Sequence, residues 1–185
     1  SGFGGNGGGS TVGANNGPRF NNENYGAVTF NYDLRLNLKT SFTGKDLLYT
    51  RLRSGNYKGS AFGGEPYSLG ALDRAFPGNN NSGYASTNNS FYLDRLYYRF
   101  PVGKTFTLAA GPVARNTEFL GTAPFYYTDH AGLDFFQLHG APGTYNKATG
   151  GTFAAIWKQP VKKGNPYFTV STSLVSPSSF LGDVE

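Results

Sequence analysis

The 185-residue chain has no cysteine, no methionine, only 15% charged residues, and no apolar run longer than the five residues Phe153 to Trp157. Each shortage removes a class of protein. Without cysteine there is no disulfide, no thiolate metal site and no cysteine nucleophile. The longest apolar run falls far short of the ~20 residues a membrane-spanning helix needs. The net charge is +5, but Lys and Arg are scattered and nowhere form a run of four. Nucleic acid is therefore not an expected partner. Position 1 is Ser, and the chain opens Ser-Gly-Phe-Gly-Gly, so we expect a processed chain or an excerpt of a longer one.

What the chain does have is glycine and aromatics: 27 Gly, 16 Phe and 13 Tyr. With 38% hydrophobic residues it is too polar for a helical membrane protein and too aromatic for simple disorder. One β-rich domain is the expectation. Residues 1–24 are rich in Gly and Asn and lack apolar periodicity, which predicts a flexible lead-in. Within them Gly2-Phe3-Gly4-Gly5-Asn6-Gly7 matches the dinucleotide fingerprint by accident, because no strand precedes it and no helix pattern follows.

From Val28 the pattern changes. Val28, Phe30, Tyr32, Leu34, Leu36 and Leu38 alternate with Thr29, Asn31, Asp33, Arg35, Asn37 and Lys39. Period two over about a dozen residues predicts a strand longer than the ~5–6 usual in soluble sheets and close to the ~9–11 of a strand crossing a bilayer at a tilt. A turn at Thr43-Gly44-Lys45 leads to a partner with Leu48, Thr50 and Leu52 on one face and Tyr49, Arg51 and Arg53 on the other. Residues 55–90 read as a long loop carrying a helical turn or two over Glu65 to Phe76. Phe91 to Pro101 and Phe106 to Ala110 predict a second hairpin around Gly103. Asp94 falls in the apolar parity there, so either the strand enters its apolar zone after it or a bulge resets the register. After a second long connection over 112–148, weakly helical around Leu133 to Leu138, Thr152 to Gln159 and Tyr167 to Val175 predict a third hairpin.

Alternation alone also fits a soluble sandwich with an aromatic core. The polar parity separates the two, because it carries Arg, Tyr, Asn and Thr with few Lys and almost no Glu, a set suited to a wet interior. If a bilayer is present, turning Arg35 toward lipid would cost ~2–4 kcal/mol near the midplane. Arg51, Arg53, Arg95 and Arg99 would be exposed by the same reversal. Tyr25, Tyr32, Tyr98, Phe100, Phe106, Trp157 and Phe168 fall toward strand ends, where interfacial girdles sit.

Several ordered segments resemble a known family. FNYDLRLNLKTSFTGKDLL at 30–48, FYLDRLYYRFPVG at 91–103 followed by Gly111-Pro112, GAPGTYN at 140–146 and WKQP at 157–160 are similar to cyanobacterial outer-membrane porins, relatives of the carbohydrate-selective OprB-like porins. The resemblance covers roughly residues 25–180. It implies an all-β, antiparallel transmembrane β-barrel in the cyanobacterial outer membrane, with residues 25–185 as the N-terminal portion of the barrel. The function it implies is passive diffusion of small hydrophilic solutes, such as inorganic ions, iron or carbohydrates, through a water-filled channel. It further implies contact with outer-membrane lipid and a homo-oligomer, a trimer. Family members carry a surface-layer-homology domain and a coiled coil before the barrel, and this chain does not show them. Its six or seven expected strands are also fewer than the ~8 of the smallest closed barrel. An open sheet in lipid would leave unpaired edges, so we expect the remainder of the barrel as a partner.

The expected pore-lining residues are Asp33, Arg35, Tyr49, Arg51, Arg53, Arg95, Tyr97 and Arg99, a mostly positive wall. Loop 55–90 is either an inward-folded constriction or an external loop. No enzyme, cofactor or metal site is expected: Asp129, His130, Asp134 and His139 lack ligand spacing, and the acids nominate no glycosidase pair. The competing reading is a soluble, lectin-like β-sandwich that binds sugar through its aromatics.

Overall fold

The computed structural model describes residues 30–57, 72, 88–122 and 148–177. They fall in two compact units, with 30–34, 54–57, 72 and 88–90 in the first and 35–53, 91–122 and 148–177 in the second. The lead-in 1–24, Tyr25, both His, the Leu133 to Leu138 stretch and, apart from Leu72, the helix expected over Glu65 to Phe76 lie outside the described residues.

The described chain is all-β. Strands β1 (Asp33–Thr40), β2 (Leu47–Gly55), β3 (Tyr92–Val102), β4 (Phe106–Arg115), β5 (Thr149–Lys158) and β6 (Thr169–Ser176) form one antiparallel sheet in chain order. Helix among the described residues is confined to one 3-10 turn, Asn116–Phe119. Each strand pairs with its sequence neighbours, so the sheet is a meander. Its three hairpin turns share one end, and the long connections after β2 and β4 leave from the other.

Two irregularities shape the sheet. Arg51 pairs with Arg95 and Leu52 with Leu93, so Asp94 is the extra residue of a β-bulge in β3. Of the two sequence alternatives for Asp94, the register selects the bulge. A second slip lies in β4, between Ala110 and Val113 against β3 and between Gly111 and Ala114 against β5. Pro112 sits in that slip, where its missing N–H does not interrupt a regular ladder. Gly111 is needed there: a Cβ would overlap the Leu96 carbonyl oxygen and the Tyr97 Cα. β4 therefore runs through Gly111-Pro112 to Arg115, five residues past the sequence expectation.

In the first unit, Asn56 extends the pairing beyond the strand ends. Its Oδ1 accepts the Tyr32 N–H at 2.8 Å, its Nδ2 donates to the Phe30 carbonyl at 2.9 Å, and its N–H donates to the Tyr32 carbonyl at 3.3 Å. An amide side chain thus copies a backbone ladder step. The Tyr32 hydroxyl donates to Asn89 Oδ1 at 2.8 Å, and Asn89, at φ 66°, returns its N–H to the Gly55 carbonyl at 2.8 Å.

In the second unit the buried apolar cluster and the exposed apolar row lie on opposite faces. The buried apolar cluster of Tyr49, Tyr97, Ala109, Ala114, Phe119 and Ala154, flanked by Leu47 and Ile156, lies on the face that carries the arginines. The opposite face carries Leu36 and Leu38, Phe106, Phe153, Val170 and Leu174, and all of these are exposed. In the first unit Leu34 continues the same row of β1 and is also exposed.

Candidate functional site

The candidate site is the polar face of β2 and β3, and the chain pattern explains how it is built. Period two places Tyr49, Arg51 and Arg53 on one side of β2. Register then sets Tyr97 beside Tyr49 and Arg95 beside Arg51. The Tyr49 and Tyr97 rings lie 5.2 Å apart, and the Arg51 guanidinium sits 5.3 Å from the centre of the Tyr49 ring. Asn37 of β1 joins them, its Oδ1 accepting from the Tyr49 hydroxyl at 2.7 Å and from Arg51 Nε at 2.8 Å.

The bulge brings an acid into this basic row. Because two consecutive residues of β3 oppose one of β2, Asp94 and Arg95 share a face. Asp94 accepts from Arg95 Nη1 at 3.0 Å and lies 3.5 Å from Arg51 Nη1. Arg95 also donates to the Asp94 carbonyl. Its Nε donates to Glu118 Oε1 at 2.6 Å. One guanidinium therefore bridges two carboxylates, which its planar fork allows. The Arg95 side chain is only 3% exposed.

The 3-10 turn after β4 covers this face. Phe119 packs edge-on against Tyr97 with ring centres 5.1 Å apart, and it is 1% exposed. The small residues Ala109 and Ala154, paired across β4 and β5, contribute to the same buried cluster as Phe119. The covering element described on this face is therefore Asn116–Phe119, whereas loop 55–90 is described only at residues 55–57, 72 and 88–90.

The eight expected wall residues are thus separated by burial. Tyr49, Arg53, Arg95 and Tyr97 are buried, Arg51, Asp33 and Arg35 are partly buried, and Arg99 is exposed. Tyr49, Arg51, Arg95 and Tyr97 form one connected network with Asp94, and Arg53 adds its charge near Asp94. Sequence reasoning did not nominate Asn37, Asp94, Glu118 or Phe119. Only Asp94 left a signal, its break of parity.

At the hairpin-turn end, on the exposed apolar face, a second polar feature anchors the β1–β2 turn. The buried Asp46 carboxylate accepts from the Tyr98 hydroxyl at 2.6 Å, from the Thr43 hydroxyl at 2.7 Å and N–H at 2.8 Å, and from the Ser41 hydroxyl at 2.7 Å. The Tyr98 bond, partly opposed by burial and then reinforced by Thr43 and Ser41, holds Asp46 well below the usual carboxylate range. Phe42 and Phe100 flank Tyr98, with ring centres 6.2 and 5.4 Å away. Phe106 pairs with Trp157 at the same end, and Lys158 lies 4.3 Å over the Tyr167 ring.

No protein-family model matches this chain, and no solved structure matches it. The uncharacterized protein alr4550 of Nostoc sp. (strain PCC 7120) is 30% identical over 160 residues, which is 83% of this chain and 25% of that protein. The uncharacterized protein sll0772 of Synechocystis sp. (strain PCC 6803) is 37% identical over 84 residues, 45% of this chain and 14% of that protein. The chain spans about a quarter of the first relative and about a seventh of the second.

Proposed function

We propose that this chain forms six strands of a larger outer-membrane β-barrel, a porin whose polar face lines a water-filled path for passive diffusion of small hydrophilic solutes. One observation carries the reading: an apolar row running from β1 to β6 is exposed, while the buried cluster of the second unit lies on the arginine face. Leu34, Leu36 and Leu38 are 49, 47 and 48% exposed, and Phe153 and Leu174 reach 52 and 72%. A lectin-like sandwich would bury that row against a second sheet. Hydrocarbon is the environment in which it costs nothing to leave it bare.

Strand length and end chemistry support the same reading. The strands run 8 to 11 residues, against the ~9–11 of a tilted membrane strand. Aromatics gather at the turn end of the apolar face, as at a bilayer interface. Short turns at one end and long connections at the other follow the outer-membrane pattern of short periplasmic turns and long external loops. Because ~8 strands is the minimum for closure, further strands from the same polypeptide or a partner complete the wall. The resemblance of the ordered segments to cyanobacterial porins supports this assignment, and both relatives come from cyanobacteria. Within the wall, the exposed Arg99 and the partly buried Arg35 and Arg51 are the guanidinium groups open to passing solutes, and Glu118 and Phe119 narrow the path over Tyr97.

Cysteine accessibility tests the proposal, since the 185 residues contain no native thiol. Single cysteines replacing Leu34, Arg35, Leu36, Leu38 and Lys39 in the full-length protein, reconstituted in vesicles, should react with a charged, water-soluble thiosulfonate at 35 and 39 only. Modification at 35 should also change single-channel current in planar bilayers. Equal reactivity along the whole row would refute the membrane-facing assignment.

A further inference from the structure

Among the described residues, lysine gathers at one end of the sheet. Arg35, Arg51, Arg53, Arg95 and Arg99 lie along the polar face, with Asp94 and Glu118 among them. Every described lysine lies instead at the hairpin-turn end: Lys39 near the end of β1, Lys45 in the β1–β2 turn, Lys104 in the β3–β4 turn, Lys158 at the end of β5, and Lys162 and Lys163 in the β5–β6 turn. All six are exposed. The described carboxylate at this end is Asp46, and its oxygens are already engaged by Tyr98, Thr43 and Ser41. Among the described residues, then, the turn end is a cationic rim without exposed acid. It adjoins the aromatic group of Phe42, Tyr98, Phe100, Phe106, Trp157 and Tyr167.

We infer that this rim binds the anionic headgroups of the membrane leaflet it faces, which rests on the membrane reading above. A lysine ammonium is a compact, strongly hydrated charge on a long flexible stem, suited to reaching a phosphate at the interface from a backbone anchored nearby. Aromatic rings set the depth, and the ammonium groups lie beyond them toward the headgroups. Lys158 shows the arrangement locally, its ammonium resting on the Tyr167 ring. Since short turns are the periplasmic side of outer-membrane barrels, the leaflet concerned is the periplasmic, phospholipid one. The rim then fixes which leaflet's lipid surrounds the barrel base, independently of any solute in the lumen.

The test uses the full-length protein in vesicles, with a fluorophore on Val161→Cys in the β5–β6 turn. Quenching by brominated phosphatidylglycerol is compared with quenching by brominated phosphatidylcholine. Each lysine near an anionic surface contributes an attraction that multiplies local lipid occupancy several-fold before screening, so an enrichment of at least about threefold is expected. It should fall to near one in 1 M salt, where the Debye length is ~3 Å, and in the Lys104→Gln/Lys162→Gln/Lys163→Gln variant. Equal quenching by both lipids would overturn the headgroup assignment and leave the membrane reading intact. A ratio near one with lysine-dependent retention on an immobilised polyanion would give the rim to an acidic polymer instead. Quenching by neither lipid would overturn the membrane reading and the inference with it.

Discussion

Replacing Leu36 by Arg separates a lipid-facing strand from a water-facing one by energy alone. Leu36 is the fourth of the eight residues of β1, and its side chain is about half exposed. In water such a change removes little burial and adds a solvated charge, so the expected effect is within about 0.5 kcal/mol. In a bilayer the same guanidinium sits near the midplane, and the cost rises to ~2–4 kcal/mol. Leu174→Arg, in β6 on the same face, should behave alike, with a smaller cost if it lies nearer the interface. The two strands stand at opposite ends of the strand order, so their costs should add within a few tenths of a kcal/mol. The assay is reversible denaturant unfolding of the full-length protein from vesicles. Variants that both fall within 0.5 kcal/mol of the native protein would show that the leucine row meets water, and the channel proposal would fail.

Two further changes probe the interior and the turn. Arg95→Met leaves the Glu118 carboxylate without the guanidinium that it accepts from at 2.6 Å, and loss of one partner from such a buried pair costs ~3–5 kcal/mol. Adding Glu118→Gln should recover part of that loss in denaturant titrations, and simple additivity would refute the coupling. Asp46 has a lowered folded-state pKa, so its contribution is fully present above its ordinary value of 3.8 and disappears as pH falls toward the folded value. Thermal melts should therefore lose stability on acidification below about pH 4, and Asp46→Asn should flatten that dependence. An unchanged acid limb in the Asn variant would remove Asp46 from the account.

How much of this was legible depends on the range of the forces involved. The row Leu34, Leu36, Leu38 against Arg35, Asn37, Lys39 is a local pattern, and the structure keeps it. The six strands and the three short turns follow from similar local signals. The sequence pattern ends β4 at Ala110 and opens the long connection at Pro112. The chain continues because a bulge absorbs the proline, and a bulge is defined by neighbouring strands. The cover over the polar face was harder still. Phe119 meets Tyr97 from 22 positions away, and Glu118 meets Arg95 from 23. No periodicity carries such a contact. For that reason the sequence nominated Tyr49, Arg53, Arg95 and Tyr97 as a wet wall but did not anticipate their burial, nor that the turn after β4 would pack against Tyr97 and pair with Arg95.

The exposure of the leucine row can be weighed against an available alternative. A one-residue slip of register moves every side chain of a strand to the opposite face, so the chain had a route to hiding its leucines. Full burial of a Leu, Val or Phe side chain is worth ~1.5–3 kcal/mol. Leaving Leu34, Leu36, Leu38, Phe153, Val170 and Leu174 about half or more exposed in water would forgo roughly 5–10 kcal/mol. That rivals the entire ~5–15 kcal/mol net stability of an ordinary domain. The specific contacts made on the other face, Arg95 to Asp94 and Glu118, Tyr49 to Asn37 and Phe119 to Tyr97, would be broken by the slip, and they hold the register in place. They do not by themselves make water a good solvent for the leucine row. A fold that spends its most specific contacts on keeping arginines in and leucines out is consistent with an apolar medium around the sheet, where the exposed row carries no penalty and a buried charge pair is safer than a bare one.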